Sequence, residues 1–424
     1  MLTMRPNRNK LPLQANGTQS HRLACVKRLS LNIEMKKLHN ILLAVLIASA
    51  GAVVGQEKTQ QERIDALEQQ LLDLQEQCDK PDFLNQAAAK GLTFNFYGSM
   101  KWKSTGGGGS DSTVDPHRWV LIPSYKLSDN ALFVTELELE HGGVEDDDAD
   151  ARFDGYLELE QMYIDVQVSE NITWRSFGIS LIPVGTINQN HEPDQFYSVY
   201  RPRLYKYVIP STWMEASTGI YGDLADVADG LSYNVLLSSG ITSKYVTETS
   251  AAWDVRGTRP GVNETYSNSN IAYTLRLGYD KGGFSGSVST YQTSYSNTSD
   301  AETDMGLYDV EVSYNFTEGS LKGLELIADY AMWDIETPTV LASGLAYDEI
   351  TGHRLEAAYH IPRGDNELVP FIRHEKYDRK GSEKEYITYG AMYKFGDNWE
   401  IKLSYFDDQD SDSDEIQFGL GMQF

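Results

Sequence analysis

Ile416-Gln417-Phe418-Gly419-Leu420-Gly421-Met422-Gln423-Phe424 is the stretch on which the reading of the fold turns. Ile416, Phe418, Leu420, Met422 and Phe424 are large and apolar, and the residues between them are polar or tiny. A period of two predicts a strand with one apolar face. The stretch ends on an aromatic residue with no polar tail, which leaves a bare apolar edge of the kind soluble sheets avoid. A strand that closes against the first strand of a cylinder in lipid has no such edge. Two readings are open at this point, a closed membrane sheet and the last strand of a sandwich.

Outward from this stretch, residues 92–424 divide into sixteen segments of about ten residues. They are 92–103, 117–127, 131–142, 154–167, 172–182, 214–222, 230–240, 270–279, 283–292, 305–316, 322–333, 351–360, 367–377, 384–395, 397–406 and 415–424. About nine to eleven residues suffice for a tilted strand to cross hydrocarbon. The connections alternate between tight and long. Ser128-Asp129-Asn130, Ser169-Glu170-Asn171, Asp280-Lys281-Gly282, Thr317-Glu318-Gly319-Ser320 and Gly396-Asp397 carry short-turn residues. Residues 104–116, 143–153, 183–213, 241–269, 293–304 and 334–350 form the long set. An up-and-down barrel predicts this alternation and a sandwich does not. The expected fold is all-β: a 16-stranded antiparallel transmembrane β-barrel preceded by a short coiled-coil helix.

Composition agrees. A chain of 424 residues is long enough for one large barrel. Its mean hydropathy of −0.43 is too polar for a bundle of membrane helices. It suits a barrel, in which one strand face is wet. The formal charge of −26 argues against nucleic acid as a partner, since that needs a basic surface. Cys25 and Cys78 have no metal-ligand spacing, and no cofactor or metal site is expected.

Residues 1–34 read as an over-extended start. Residues 35–55 read as a secretory signal peptide, with Lys36 and Lys37 ahead of the short apolar run 41–48 and then small residues. Residues 56–80 carry Ile64, Leu67, Leu71, Leu74 and Cys78 at spacings of three and four, a short heptad seam that predicts a coiled coil. Residues 81–91 are a linker. With an even number of strands both barrel ends lie on the periplasmic side, and the coil is expected there.

Strand parity assigns the faces. Glu136, Glu138 and Glu140 alternate with Leu137 and Leu139, and Glu158 and Glu160 alternate with Leu157 and Leu159. The phase slips near Gln161, which predicts a bulge. Asp309 and Glu311 alternate with Tyr308, Val310, Val312 and Tyr314. By the same test Arg276, Arg354, Lys394 and Lys402 face inward. A charge facing lipid at mid-depth costs about 2–4 kcal/mol, so these groups are expected to line the lumen.

Segment 183–213 is too long and too apolar for a simple exterior loop, and long connections are commonly functional. It contains Pro183-Val184-Gly185, His191-Glu192-Pro193, Tyr200-Arg201-Pro202-Arg203-Leu204-Tyr205-Lys206 and Ile209-Pro210-Ser211-Thr212-Trp213. On these motifs residues 92–424 resemble bacterial outer-membrane porins, and among them the phosphate-selective porin O/P group. The leading coil followed by a barrel resembles trimeric channels for small organic acids. Phe418, Leu420, Met422 and Phe424 resemble the assembly signal read by the barrel-assembly machinery. The resemblance implies a homotrimer in the outer membrane, in contact with lipid and lipopolysaccharide. It implies passive diffusion of small hydrophilic or charged solutes, and it makes 183–213 the loop that folds inward. The constriction is then expected at His191, Glu192, Arg201, Arg203 and Lys206. Arg201 and Arg203 would attract anions, or pair with Glu192, Asp194 or wall carboxylates and pin the loop. The phosphate channels line their throat with many arginines and lysines, whereas here the basic loop residues face a wall rich in carboxylates.

Acidic runs at 146–148 and 407–415 lack EF-hand spacing and read as solvated loops. The four glycines at 106–109 have no following Lys-Ser or Lys-Thr, so they are not a phosphate loop. There is no Gly-x-Ser-x-Gly elbow. The competing functional readings are an outer-membrane barrel enzyme and an envelope tether, and the expectation is that the chain is not an enzyme.

Overall fold

The computed structural model describes residues 88, 90–106, 112–143, 155–241, 259, 270–296, 302–336, 349–379 and 383–424. The expected over-extended start, signal peptide and coiled coil lie outside the described residues, as do nearly all of the linker and the acidic run 146–148.

From residue 91 onward the chain is one closed antiparallel sheet. Its strands are β1 (Leu92–Thr105), β2 (Ser112–Ser128), β3 (Ala131–Glu140), β4 (Leu157–Ser169), β5 (Ile172–Leu181) and β6 (Met214–Asp223). They continue with β7 (Leu231–Ser239), β8 (Ile271–Lys281), β9 (Phe284–Ser296), β10 (Glu302–Asn315) and β11 (Leu324–Ile335). β12 (Glu349–Tyr359) is interrupted at His360 and resumes as Ile361–Arg363; both parts pair with the next strand, so they count as one. The last four are β13 (Asn366–Arg379), β14 (Glu383–Phe395), β15 (Trp399–Asp408) and β16 (Glu415–Gln423). Each strand pairs with its neighbours in sequence, and β1 pairs with β16.

The closing seam uses the stretch quoted first. Trp102 pairs with Phe418 and Gly98 with Met422. Phe424 extends the ladder: its amide donates to Phe96 O at 2.9 Å, and Phe96 N donates to Phe424 O at 2.8 Å. No backbone edge is left between first and last strands, which is what a sheet in hydrocarbon requires.

Face assignment follows the pleat. Val310 is 47 % exposed and Asp309 beside it 1 %. Ile416, Phe418 and Phe424 are likewise exposed on the outside, whereas Glu415, Gln417, Gly419 and Gly421 are buried inside. The bulge expected near Gln161 is present. Glu136 pairs with Gln161 but Leu137 pairs with Leu159, so Glu160 is the extra residue, and Glu160 and Gln161 are both buried. A second bulge was not foreseen. Between the pairs Ser99–Arg118 and Lys101–Asp115, Met100 of β1 faces both Pro116 and His117 of β2. Proline cannot donate to a ladder, and a bulge accommodates it. β2 therefore begins five residues earlier than its Asp-Pro sequence suggests. The β8–β9 connection expected at Asp280-Lys281-Gly282 is instead Gly282-Gly283, both at positive φ, the backbone of a two-residue hairpin, because Asp280 and Lys281 still pair with Ser285 and Phe284.

Candidate functional site

The segment between β5 and β6 folds into the cylinder and fills much of it. Ile182 N donates to Trp213 O at 2.8 Å, closing the base of the loop. The Asn188 side chain stitches the same point, donating to Ile182 O at 2.8 Å and accepting from Trp213 N at 2.9 Å. Within the loop, α1 (Thr186–Gln189), a 3-10 turn (Pro193–Gln195) and α2 (Leu204–Tyr207) satisfy part of the backbone locally. Ile182, Val184, Ile187, Phe196, Leu204, Tyr205, Val208, Ile209 and Trp213 are buried and form one apolar cluster with inner-face residues such as Tyr291, Leu307, Trp333 and Ile350. The Trp213 ring lies 4.6 Å from that of Tyr291, and Trp333 Nε1 donates to Val208 O at 2.8 Å. The loop thus has its own hydrophobic core inside the barrel.

Wall charges hold it. Glu311 accepts from Thr186 N at 3.0 Å and from the Tyr205 hydroxyl at 2.9 Å. Glu375 accepts from Leu204 N at 3.1 Å. Arg276 donates to Thr186 Oγ1 at 3.1 Å, and Arg373 donates to Ser198 Oγ at 2.7 Å. Lys402 Nζ is buried and donates to the carbonyls of Pro193, Phe196 and Ser198. Arg354 binds Asp329 at 2.6 Å, Glu356 at 3.2 Å and Glu311 at 3.5 Å. Glycines make the room: a Cβ on Gly421 would lie 2.7 Å from Pro193 Cβ, and one on Gly352 would lie 2.8 Å from Leu204 Cδ1.

On the opposite wall Glu136 accepts from the Tyr97 hydroxyl at 2.9 Å and from the Gln161 side chain. His191 Nε2 lies 3.1 Å from that hydroxyl and 3.6 Å from Glu160, while its Nδ1 donates to Asn188 O at 3.3 Å. Burial, with the charges of Arg201 and Arg118, pushes the His191 imidazole down to about 3, so it is neutral. Arg201 donates to Thr212 Oγ1 at 2.7 Å. Burial and the neighbouring Arg118 lower Arg201 to about 10, which still leaves it charged at neutral pH.

The expected constriction residues therefore divide. His191 and Arg201 come together beside β1–β4. Arg203 instead stacks over Phe406 at 4.5 Å, and Lys206 is exposed, 5.5 Å from the Tyr207 ring. Glu192 is half-buried. Of the expected wall residues, Glu136, Glu138, Glu160, Asp309, Glu311, Arg354 and Lys402 are buried inside, and Glu140, Glu158, Arg276 and Lys394 are half-buried. Several buried inner-face basic residues escaped the sequence reading, namely Lys101 and Arg118 and, besides them, Arg175 and Arg373. Lys101 is buried with its Nζ 4.5 Å over the Tyr200 ring. Arg118 meets Glu138 at 3.1 Å and Glu140 at 3.6 Å. The alternation Met100-Lys101-Trp102-Lys103 held the signal for the first; the run Trp119-Val120-Leu121-Ile122 hid the second. Lys101, Arg118, Arg201 and Lys402 line one cavity between loop and wall, with His117, His191 and a single carboxylate, Glu400. Arg118 Nη1 and Arg201 Nη2 have no hydrogen-bond partner among the described residues.

No family model matches the chain. A protein of Aquifex aeolicus (strain VF5), described only as uncharacterized, is 28% identical over 340 residues, covering 72% of this chain and 73% of that one. Among solved structures, OmpF of Salmonella typhi is similar with a TM-score of 0.54 and 14% identity, covering 80% of this chain and 99% of OmpF. The outer membrane channel DcaP of Acinetobacter baumannii is similar with a TM-score of 0.52 and 12% identity, covering 78% and 97%. The chain has the closed sixteen-stranded antiparallel barrel of the outer-membrane porins.

Proposed function

We propose that the protein is a passive diffusion channel for small hydrophilic solutes in a bacterial outer membrane, with selectivity set by loop 183–213 and the charged wall it faces. The observation that carries this reading is the cavity between loop and wall, where Lys101, Arg118, Arg201 and Lys402 outnumber Glu400. In a narrow throat with low-dielectric walls, fixed charges of one sign raise the local concentration of the opposite ion. The lining residues carry a basic excess, offset in part by Glu138 and Glu140 against Arg118 and by Glu160 beside His191, and the two guanidinium nitrogens without protein partners are donors available to an anion. Small anions, of the size of inorganic phosphate or short carboxylates, are the solutes this charge pattern favours.

The same reading carries three further parts. The channel is a homotrimer, with the 56–80 coil bundled in the periplasm. Its apolar outer face contacts lipid, and its polar outer loops contact lipopolysaccharide. The barrel-assembly machinery recognises Phe418, Leu420, Met422 and Phe424.

Single-channel recording of the purified protein in planar bilayers across a salt gradient tests the proposal. Conductance in steps of three, with a reversal potential of anion sign, is the expected result. A protein that inserts as a folded barrel and passes no current ends the channel reading.

A further inference from the structure

At the end of the barrel that carries the long connections, the β1–β2–β3 rim brings together three side chains that are not close in sequence. The bulge at Pro116 and His117 turns Asp115 and His117 towards one another, with His117 Nδ1 3.2 Å from Asp115 Oδ2. His141 is the first residue beyond β3. Its backbone sits at φ 50, a left-handed conformation uncommon outside glycine. Its amide donates to His117 O at 3.2 Å, which holds the ring so that Nδ1 lies 2.8 Å from Asp115 Oδ1. The two imidazoles meet edge to face at 5.7 Å.

We propose that Asp115, His117 and His141 form a binding site for a divalent transition-metal ion, Zn2+ above all, at the rim of the barrel. Two imidazole nitrogens and one carboxylate are a donor set that suits zinc, with a fourth position left for water. The three ligand atoms already lie within 4.8 Å of one another. Zinc bonds of about 2.0–2.2 Å place tetrahedral ligand atoms about 3.3–3.5 Å apart, so the widest pair has to close by no more than about 1.5 Å, within the reach of small side-chain rotations. Side-chain exposures of 20% for His117, 23% for Asp115 and 40% for His141 leave a path from solvent. Lys101, the partner of Asp115 in the ladder, directs its Nζ to the Tyr200 ring. Without metal each neutral imidazole holds its proton on Nδ1, donating to Asp115. Binding needs that proton moved to Nε2 by solvent, so no net proton release is required from either ring. His117 also lines the cavity beside Arg118 and Arg201. A bound ion would add positive charge next to that basic strip.

The test does not depend on conduction. The full chain, purified in detergent, is titrated with Co2+ and followed by its visible ligand-field bands, with Zn2+ as competitor. The expected result is a band that saturates at one Co2+ per chain and is abolished by Zn2+. His117→Gln keeps a polar side chain of similar reach, and His141→Asn keeps a residue that tolerates the left-handed backbone. Each is expected to weaken Co2+ binding by about 100-fold or more, at or above the upper end of the cost of losing a supporting contact. Migration of the unheated sample on a gel confirms that the variants fold. Absence of the band in the natural protein overturns the site, and so does a band that both variants leave unchanged.

Discussion

Lys402 is the sharpest point at which to test whether the inward loop is clamped rather than merely confined. The residue is 4% exposed, and its ammonium donates to three loop carbonyls, those of Pro193, Phe196 and Ser198. Lys402→Met keeps the length and apolar stem of the side chain and removes the three donors. A hydrogen bond to a charged group contributes about 1.5–3 kcal/mol, and each carbonyl left buried without a donor costs about 1–3 kcal/mol. The three contacts share one nitrogen, so they do not add fully; about 4 kcal/mol is a fair net loss of docking free energy. Every 1.4 kcal/mol is tenfold in an equilibrium constant, so the undocked population of segment 193–198 rises by about 10³. The sixteen-strand ladder does not involve this amine, and the barrel itself should keep its gel mobility. Two assays read the effect. Limited proteolysis of the detergent-solubilised protein should cut within 190–200 in the variant and not in the parent. Single-channel traces should show larger and noisier conductance. A variant that resists protease like its parent and conducts identically would refute the clamp, and would mean that the apolar cluster around Trp213 holds the loop alone.

Three other outcomes follow from the same geometry. Replacing Arg201 and Arg203 together by Ala should move the reversal potential towards cations; because Arg203 stacks on Phe406, Arg201→Ala alone should give most of the shift, and an unmoved potential removes these groups from selectivity. His191 is neutral when docked among Tyr97, Glu136, Glu160, Arg118 and Arg201, with its folded value near 3. An undocked His191 takes up a proton below about 6.5. The docked state is therefore fully favoured above that pH and loses about 1.4 kcal/mol per unit as pH falls from 6.5 towards 3. Conductance noise should rise between pH 6.5 and 4.5, and His191→Gln should flatten the profile; equal pH dependence in both proteins would contradict the assignment. Val310→Arg puts a charge on the lipid face, where Val310 is 47 % exposed. It should lower the urea stability of the lipid-reconstituted barrel by about 2–4 kcal/mol, and an unaffected midpoint would mean that this face does not meet hydrocarbon.

The barrel was legible because its two signals are local. Alternation along each strand and alternation of short and long connections are both fixed by the membrane, which leaves little room for tertiary context to override them. Even the slip at Glu160 could be read, since one extra residue reverses parity for the rest of β4. What could not be read depends on contacts across the cylinder. Gly419 and Gly421 looked like the small members of an alternating strand. Their inner positions are the seats of Val199 and Pro193, the latter with no space for a Cβ. Lys402 read as a wall charge, and it is a donor to loop carbonyls. Asp115 and His117 share a short motif, but His141 reaches them only through the β2–β3 register and an unusual backbone angle. Segments 35–55 and 56–80 lie outside the described residues and stand on their sequence patterns.

The interior charges also separate into two kinds. Arg354 with Asp329, Glu356 and Glu311, and Arg373 with Glu375 and Glu356, are buried groups whose charges are answered within 4 Å. Paired charges of this kind contribute little net field at a distance, and the cost of burying them is offset only while both partners stay in place. Through Glu311 and Glu375 they also hold the loop backbone. Several of the charged residues that parity places inside the barrel, Glu311, Arg276 and Lys402 among them, are thus occupied in holding the loop against the wall. Around the cavity between loop and wall the balance is different: Lys101 and Arg201 have no carboxylate partner within ion-pair distance among the described residues, and Arg118, although it meets Glu138 and Glu140, keeps one guanidinium nitrogen without a hydrogen-bond partner. Counting acidic and basic residues on the inner face suggests a cation path, and Asp309, Asp329, Glu356 and Glu160 each keep a carboxylate oxygen with no hydrogen-bond partner among the described residues; the anion preference proposed above therefore rests on the local strip of Lys101, Arg118 and Arg201 and not on the inner face as a whole.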